Sequence, residues 1–283
     1  MDHLTGFATL AARYDGFIID LWGVIHDGVT PYAGAVDCLR RIRAAGKPAV
    51  LLSNAPRRAH AAQKALRGMG IADDDYTGIM TSGEATWQAL HDRADPWFAA
   101  LGPRVFHIGP LRDRNVMDGL GLAVVDTPAA ADFVLNTGPD DHAAHLQIED
   151  FEEMLQACRA TALPMICANP DLEVIRGGRR VICAGTLAQH YQGLGGDVRN
   201  LGKPDAAIYA PVLAMLALPR TAVLAVGDAL RTDIAGAAAV GVASCWVLGG
   251  IHGEELAHDT ALVEAKASSH GLAPVAAVPS FVW

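Results

Sequence analysis

Short uninterrupted runs of apolar residues alternate along the chain with longer segments in which apolar positions recur at helical spacing. The apolar runs lie at residues 17–19, 48–52, 78–80, 222–226 and 243–248. The segments with helical spacing lie at 35–45, 58–69 and 205–217. Continuous apolar runs are typical of strands that are buried on both faces, as in parallel sheets covered by helices. The alternation therefore predicts an α/β protein with a doubly wound parallel sheet.

The middle of the chain carries a second set of the same alternation. Apolar runs at 105–108, 123–125, 133–135 and 165–167 predict strands, and the segments 111–119 and 147–160 predict helices. A helix predicted at 186–193 then leads back to the first pattern. We therefore predict a Rossmann-like core formed by residues 1–83 and 185–283, interrupted by a smaller inserted α/β domain at residues 84–184.

Composition narrows the classes of partner and compartment. The 283 residues carry a net charge of −9 and no long basic run, so we expect no nucleic-acid partner. No uncharged apolar run reaches the roughly 20 residues of a membrane helix, so we expect no membrane association. Five widely spaced cysteines without a C-x-x-C pair indicate reduced, buried thiols. Because the N-terminal residues also lack a basic and apolar leader, we expect a cytoplasmic protein.

Polar side chains that could carry chemistry follow the predicted strands of the core. They are Asp20, Ser53 with Asn54, Lys203 in a loop, and Asp228 with Asp233. The carboxyl ends of parallel strands meet at one edge of the sheet, where ligands bind in this class of fold. Carboxylates from separate strands need a cation between them, and oxygen ligands of this kind suit Mg²⁺. A lysine and a hydroxyl beside them would form a cradle for a phosphoryl group.

Each of these residues also has a structural alternative. A single acid after a strand is often a turn residue, and Asp233 could cap the helix that follows it. Lys203 could be a solvated loop lysine. The chemical interpretation rests on four strand or loop ends that carry matching polar groups.

In this order, the motifs resemble those of the haloacid dehalogenase-like superfamily, in particular its class IIA branch of nitrophenylphosphatase-like phosphatases. The matching segments are Asp20-x-x-Gly23, Ser53-Asn54, Gly202-Lys203-Pro204 and Gly227-Asp228-Ala-Leu-Arg-Thr-Asp233. Each is short, but together they cover nearly the whole chain. The resemblance implies a phosphoric monoester hydrolase of small phosphorylated metabolites, in which the insert is a cap over the site. Caps of this branch often take part in homodimers.

The resemblance also implies a role for each matching residue. Asp20 would be the nucleophile that forms an aspartyl-phosphate. Ser53 and Lys203 would bind the transferring phosphoryl group, and Asn54 would orient the site or the substrate. The ligands of Mg²⁺ would be Asp20, the backbone carbonyl of Trp22, Asp228 and Asp233.

One position departs from the pattern of these phosphatases, which carry a second Asp two residues after the nucleophile as general acid and base. This chain has Trp22 there, which cannot transfer a proton. His26, in a predicted hairpin flap with an Asp27-Gly28 turn, could substitute as a catalytic acid or base, or could be an ordinary flap residue. Alternatively, the substrate has a good leaving group, or the protein binds phosphorylated ligands without turning them over well.

Two further points concern specificity and competing chemistry. Arg176 and Arg179 flank two glycines in the predicted cap and could clamp a second anionic group of the substrate, or could form a solvated hairpin turn. The dehalogenases of the superfamily also lack the second acid. Dehalogenation needs no Mg²⁺, whereas Asp228 and Asp233 are spaced as for a cation, so we rank that chemistry lower.

Overall fold

A computed structural model describes residues 1–140, 147–176, 179–251 and 259–283, so Gly177 and Gly178 of the arginine-flanked pair lie outside the described residues. The strands are β1 Asp2–His3, β2 Gly16–Ile19, β3 Ala49–Ser53, β4 Gly78–Thr81, β5 Arg104–Ile108, β6 Ala123–Val125, β7 Phe133–Asn136, β8 Met165–Cys167, β9 Glu173–Arg176, β10 Arg179–Ile182, β11 Val198–Asn200, β12 Val223–Gly227, β13 Ala243–Val247 and β14 Ala276–Val278. The α-helices are α1 Ala8–Arg13, α2 Ala35–Ala44, α3 Ala59–Gly68, α4 Ser82–Asp92, α5 Pro96–Ala99, α6 Glu152–Ala160, α7 Ala184–Gly193, α8 Ala206–Leu216, α9 Ala235–Ala239 and α10 Thr260–Ser269.

The larger sheet forms the core, and its described strands lie in the order β1-β14-β13-β12-β2-β3-β4. All of its strand pairs are parallel. Since successive side chains of a strand point to opposite faces, Phe17 and Ile19 pack on one face with Leu39 of α2. Ile18 packs on the other face with Val212 of α8. Helices therefore cover both faces, and the predicted doubly wound α/β core is confirmed.

The insert is built on a second, parallel sheet in the order β11-β8-β7-β5-β6. Helix α7 packs on this sheet through Leu187 and Tyr191, and β11 pairs with β8. The predicted boundary at residue 184 therefore needs correction, because the insert sheet continues to Asn200. The error has a simple cause: α7 and β11 repeat the same strand–helix pattern as the core, and only strand pairing separates them.

Other local predictions differ from the structure in detail. Residues Leu111–Met117 form 3₁₀ turns rather than the predicted α-helix. Strands β1 and β14, at one edge of the core sheet, contain only two and three residues and have no clear periodicity. The antiparallel hairpin β9–β10 extends from the insert towards the core. Within the described ranges, no helix is both long and apolar enough to span a membrane.

Candidate active site

Three buried carboxylates meet where the core strands end. Asp20 follows β2, and Asp228 follows β12, the strand that pairs with β2. Asp233 lies in a π-helical turn, Leu230–Ile234, that brings its side chain back towards the strand ends. One oxygen from each of the three carboxylates lies within 4.8 Å of the others. Residues that are separated by about two hundred positions in the chain thus form one oxygen cluster.

Lys203 is buried in the same cluster rather than solvated in its loop. Its ammonium group donates hydrogen bonds to Asp20 Oδ1 and Asp233 Oδ1, both at 2.6 Å, and to the carbonyl of Leu52 at 3.1 Å. Burial disfavours the charged amine, but the carboxylates of Asp20 and Asp233 outweigh that effect and hold the pKa of Lys203 well above its ordinary value. The lysine therefore stays protonated.

The charges of this cluster fit a divalent cation. Burial, together with the carboxylates of Asp233 and Asp228, raises the pKa of Asp20 well above its ordinary value. Burial and Asp233 raise the pKa of Asp228 to about 7. One ammonium does not balance three buried carboxylates, and additional positive charge would favour the ionised forms of Asp20 and Asp228. An all-oxygen donor set with excess negative charge is the kind that binds Mg²⁺.

The backbone around Asp228 leaves room only for glycine. Gly23 has φ +77°, and a Cβ atom at this position would lie 2.0 Å from Asp228 Oδ2. The same oxygen accepts a hydrogen bond from the backbone N–H of Ile251 at 2.8 Å. The glycine of the Asp20-x-x-Gly23 motif is thus required because the chain passes directly against a carboxylate of the cluster.

Asn54 holds the loop of Lys203 rather than lining the cavity around Asp20. Its Oδ1 accepts hydrogen bonds from the backbone N–H of Lys203 at 2.8 Å and from Ser82 Oγ at 3.1 Å. Its Nδ2 donates to Asp171 Oδ1 at 2.9 Å. These contacts support the role of Asn54 in orienting the site. Ser53 lies at the end of β3, buried, where its Oγ accepts a hydrogen bond from the N–H of Ala55.

Trp22 separates the carboxylate cluster from a neighbouring cavity. The cavity beside Asp20, Lys203 and Asp228 and a larger one on the side of α3 are both lined by Trp22 and by Val174 of β9. The indole lies against the flap so closely that a Cβ on Gly28 would be 2.0 Å from Trp22 Cη2. The side chain that replaces the usual acid therefore forms a wall.

His26 lies beside Trp22, with ring centroids 5.4 Å apart, and lines the larger cavity. Its Nδ1 accepts a hydrogen bond from the N–H of Gly28 at 3.0 Å. Burial lowers the pKa of His26 to about 4, with Arg57 acting in the same direction. The imidazole is therefore neutral at pH 7, and its proton lies on Nε2, which makes it a hydrogen-bond donor.

The two arginines predicted as an anion clamp lie opposite each other in the β9–β10 hairpin, but they differ in exposure. Arg176 lines the larger cavity, whereas Arg179 is exposed and does not contribute to its described lining. The structure adds residues that were not predicted. They are Arg57, Arg112 and Asp113 in the larger cavity and Asp171 in the smaller one. They lie in loops and 3₁₀ turns, where a sequence without strand or helix periodicity gives no positional signal.

Comparison with known proteins identifies the family of the chain. Haloacid dehalogenase-like hydrolases match residues 17–123, and the HAD-hydrolase-like family matches residues 200–272. The two segments contain Asp20, Lys203, Asp228 and Asp233. A haloacid dehalogenase-like hydrolase from Brucella suis superposes with a TM-score of 0.85 at 32% identity, covering 99% of this chain and 100% of that one. The chain belongs to the haloacid dehalogenase-like hydrolases, as the motifs indicated.

Among its individual relatives are phosphatases. D-glycerol 3-phosphate phosphatase of Mycobacterium tuberculosis is 32% identical over 262 residues, which are 86% of this chain and 65% of that protein. This chain thus spans slightly less than two thirds of the length of that relative. A glycerol phosphate phosphatase from Mycobacterium tuberculosis, solved in complex with calcium, superposes with a TM-score of 0.62 at 27% identity, covering 86% of this chain and 68% of that one.

Proposed function

We propose that this protein is a Mg²⁺-dependent phosphatase that acts on a small phosphorylated metabolite through Asp20. The observation that carries the proposal is the cluster of Asp20, Asp228 and Asp233, with the ammonium of Lys203 bound at 2.6 Å to two of the three. Such a cluster binds a cation and a phosphoryl group together. The phosphatase names of the relatives and the calcium in one of their structures support this assignment.

The metal would be held by Asp20, the backbone carbonyl of Trp22, Asp228 and Asp233. When bound, Mg²⁺ supplies positive charge to the phosphoryl oxygens. Lys203 fixes one carboxylate oxygen of Asp20 and adds charge at the site. Ser53, at the end of the adjacent strand, is proposed to contact the phosphoryl group, and Asn54 fixes the loop of Lys203.

The reaction has two displacements at phosphorus. A carboxylate oxygen of Asp20 forms a bond to phosphorus while the bond to the leaving oxygen breaks, and the electron pair goes to that oxygen. Water then forms a bond to phosphorus while the bond to Asp20 breaks, the electron pair returns to the Asp20 carboxylate, and the protons of the water leave with the phosphate. With Trp22 in place of an acid, and with His26 neutral, neither side chain supplies a proton to the leaving oxygen. We therefore propose that substrates are aryl or acyl phosphates, whose leaving groups are stable as anions.

The test is a panel of alkyl, aryl and acyl phosphates, assayed with Mg²⁺ and with EDTA. We expect turnover of the aryl and acyl phosphates only, its loss in EDTA, and its loss in Asp20→Asn but not in the exposed control Asp74→Asn. Absence of turnover, with Mg²⁺-dependent binding of phosphate, would instead assign a phospholigand-binding protein. Efficient turnover of alkyl phosphates would contradict the restriction to good leaving groups.

A pair of substitutions at Trp22 isolates the missing acid. Trp22→Asp and Trp22→Asn remove the same indole, but only the first adds an ionisable group. General acid–base catalysis is worth about 10²–10⁴-fold. We therefore expect Trp22→Asp to exceed Trp22→Asn in kcat for an alkyl phosphate by about 10²-fold or more. Equal rates for the two variants would show that another group already supplies the proton.

A further inference from the structure

The larger cavity lies where the leaving group of a phosphate bound at Asp20 would extend. It has a volume of about 270 Å³ and shares Trp22 and Val174 with the cavity that contains Asp20 and Lys203. A substrate with its phosphorus at Asp20 would extend along the side of Trp22 into this adjacent cavity. The side chains of this cavity determine which leaving groups fit.

Three arginines from three different segments meet in this cavity. Arg57 follows β3 of the core, Arg112 lies in the 3₁₀ turns of the insert, and Arg176 ends β9 of the hairpin. Burial lowers the pKa of Arg112, and the neighbouring charges of Arg57 and Arg176 lower it further, although Asp113 and Asp140 act in the opposite direction. Three guanidinium groups thus line the same cavity as the buried carboxylate of Asp113.

Asp113 is the buried centre of this group, and its hydrogen bonding is incomplete. Only 2% of its side chain is exposed, and its Oδ1 lies 3.6 Å from Nε of Arg57 and 3.6 Å from Nε of Arg112. These separations are too long for hydrogen bonds. Among the described groups, Asp113 Oδ1 and Arg57 Nε have no hydrogen-bond partner. Asp113 therefore draws the arginines together by charge and leaves Arg57 with a buried donor for another acceptor.

Apart from these charged groups and the polar side chains of His26, Thr137 and Asn169, the lining of the cavity is apolar. It includes the indole of Trp22 and the side chains of Leu21, Leu66, Met69, Val181 and Ile182. An apolar wall with a cationic group at one side fits an apolar body that carries an anionic substituent. A flat ring would lie against the indole, and guanidinium groups bind planar anions through paired hydrogen bonds.

We propose that the leaving group of the substrate is an aromatic ring bearing a second anionic group, bound by Arg57, Arg112 and Arg176. This inference rests on the proposed phosphatase function. It agrees with the absence of an acid at position 22, because a phenol leaves as an anion more readily than an alcohol. Asp113 is a positioning residue in this arrangement and does not itself contact the ring.

The test compares two aryl phosphates that differ in one charge, 4-carboxyphenyl phosphate and its neutral amide, 4-carbamoylphenyl phosphate. The measured quantity is the ratio of kcat/KM for the acid to kcat/KM for the amide. Each ratio is taken within one protein, so a partial loss of folded enzyme cancels. Since a charge-assisted hydrogen bond is roughly twice as strong as a neutral one, we expect a ratio of about ten or more in the wild type.

Arg57→Gln and Arg112→Gln should each lower this ratio several-fold, towards one. The control is Arg114→Gln, an exposed arginine on the segment of Arg112 that does not line either cavity. It should keep the wild-type ratio. A wild-type ratio near one, or an unchanged ratio in both cavity variants, would overturn the inference. In that case turnover of 4-nitrophenyl phosphate would show that the phosphatase proposal stands, whereas no turnover of any aryl phosphate would overturn both.

Discussion

Replacement of Lys203 by methionine tests whether the carboxylates of the site are charged and held together by one ammonium group. Methionine keeps the length of the apolar stem and removes the two 2.6 Å hydrogen bonds to Asp20 and Asp233. With only 3% of Lys203 exposed, solvent cannot replace the lost charge. The variant therefore leaves three buried carboxylates with no cation within their own cluster.

The size of the effect follows from this burial. Removal of one partner of a buried ion pair costs about 3–5 kcal/mol of folding free energy. For a chain of this length that corresponds to a fall in Tm of about 6–20 °C. We expect this fall in EDTA and a smaller one in Mg²⁺, because the metal supplies positive charge to the same carboxylates. Loss of the electrostatic contribution at the phosphoryl group should also lower kcat by about 10²–10³-fold.

The assay is thermal unfolding followed by circular dichroism, in EDTA and in Mg²⁺, with Lys64→Met as the control. Lys64 is exposed on α3, so its replacement should change the folding free energy by no more than about 0.5 kcal/mol. If Lys203→Met unfolds at the wild-type temperature in EDTA, the carboxylates are not balanced by this lysine, and the electrostatic description of the site is wrong.

Two further predictions concern Asp228. Because its folded-state pKa of about 7 lies above its ordinary value of 3.8, its contribution to the stability of the metal-free protein is complete below pH 3.8 and is lost as pH rises through about 7. The Tm of the wild type minus the Tm of Asp228→Asn, measured in EDTA, should therefore fall as pH rises from 3.8 to about 7. A difference that does not change with pH would contradict the raised pKa of Asp228. Gly23→Ala should lower kcat by at least about 10²-fold, because its Cβ would meet Asp228 Oδ2. The control is Gly46→Ala, because Gly46 has a similar φ but a Cβ there would have no atom within 4 Å. This control should lower the free energy of unfolding by only about 1 kcal/mol and leave kcat unchanged. Equal activity in the two glycine variants would mean that Asp228 can move without loss of function.

Part of the carboxylate cluster was predictable because Asp20 and Asp228 follow the ends of regular strands. Asp20 and Asp228 come directly after apolar runs that could only be buried strands, and parallel pairing brings such positions together. Lys203 was identified by its motif, but its burial was not, since a loop lysine has no periodicity that reports its surroundings. The hydrogen bond from Gly28 to His26 Nδ1, which fixes the donor role of the imidazole, is also a tertiary property that the sequence does not encode locally.

The boundary of the insert and the cavity beside it were harder to predict from the sequence. Helix α7 has the spacing of a core helix, and its assignment to the insert depends on which sheet it covers. Arg57, Arg112 and Arg176 come from segments that are 55 or more positions apart and that meet only when the insert lies over the core. Such a cluster depends on how the insert and the core pack against each other, and local sequence patterns do not predict that packing.

The contacts of Asn54 have a consequence for the motion of the molecule. Ser82 stands where the chain leaves the core for the insert, Lys203 stands where it returns, and Asp171 belongs to the insert itself. One amide side chain is hydrogen-bonded to all three. Any displacement of the insert relative to the core would therefore strain the same amide that holds the backbone of Lys203. The position of the insert and the position of the Lys203 loop would thus be coupled through one side chain.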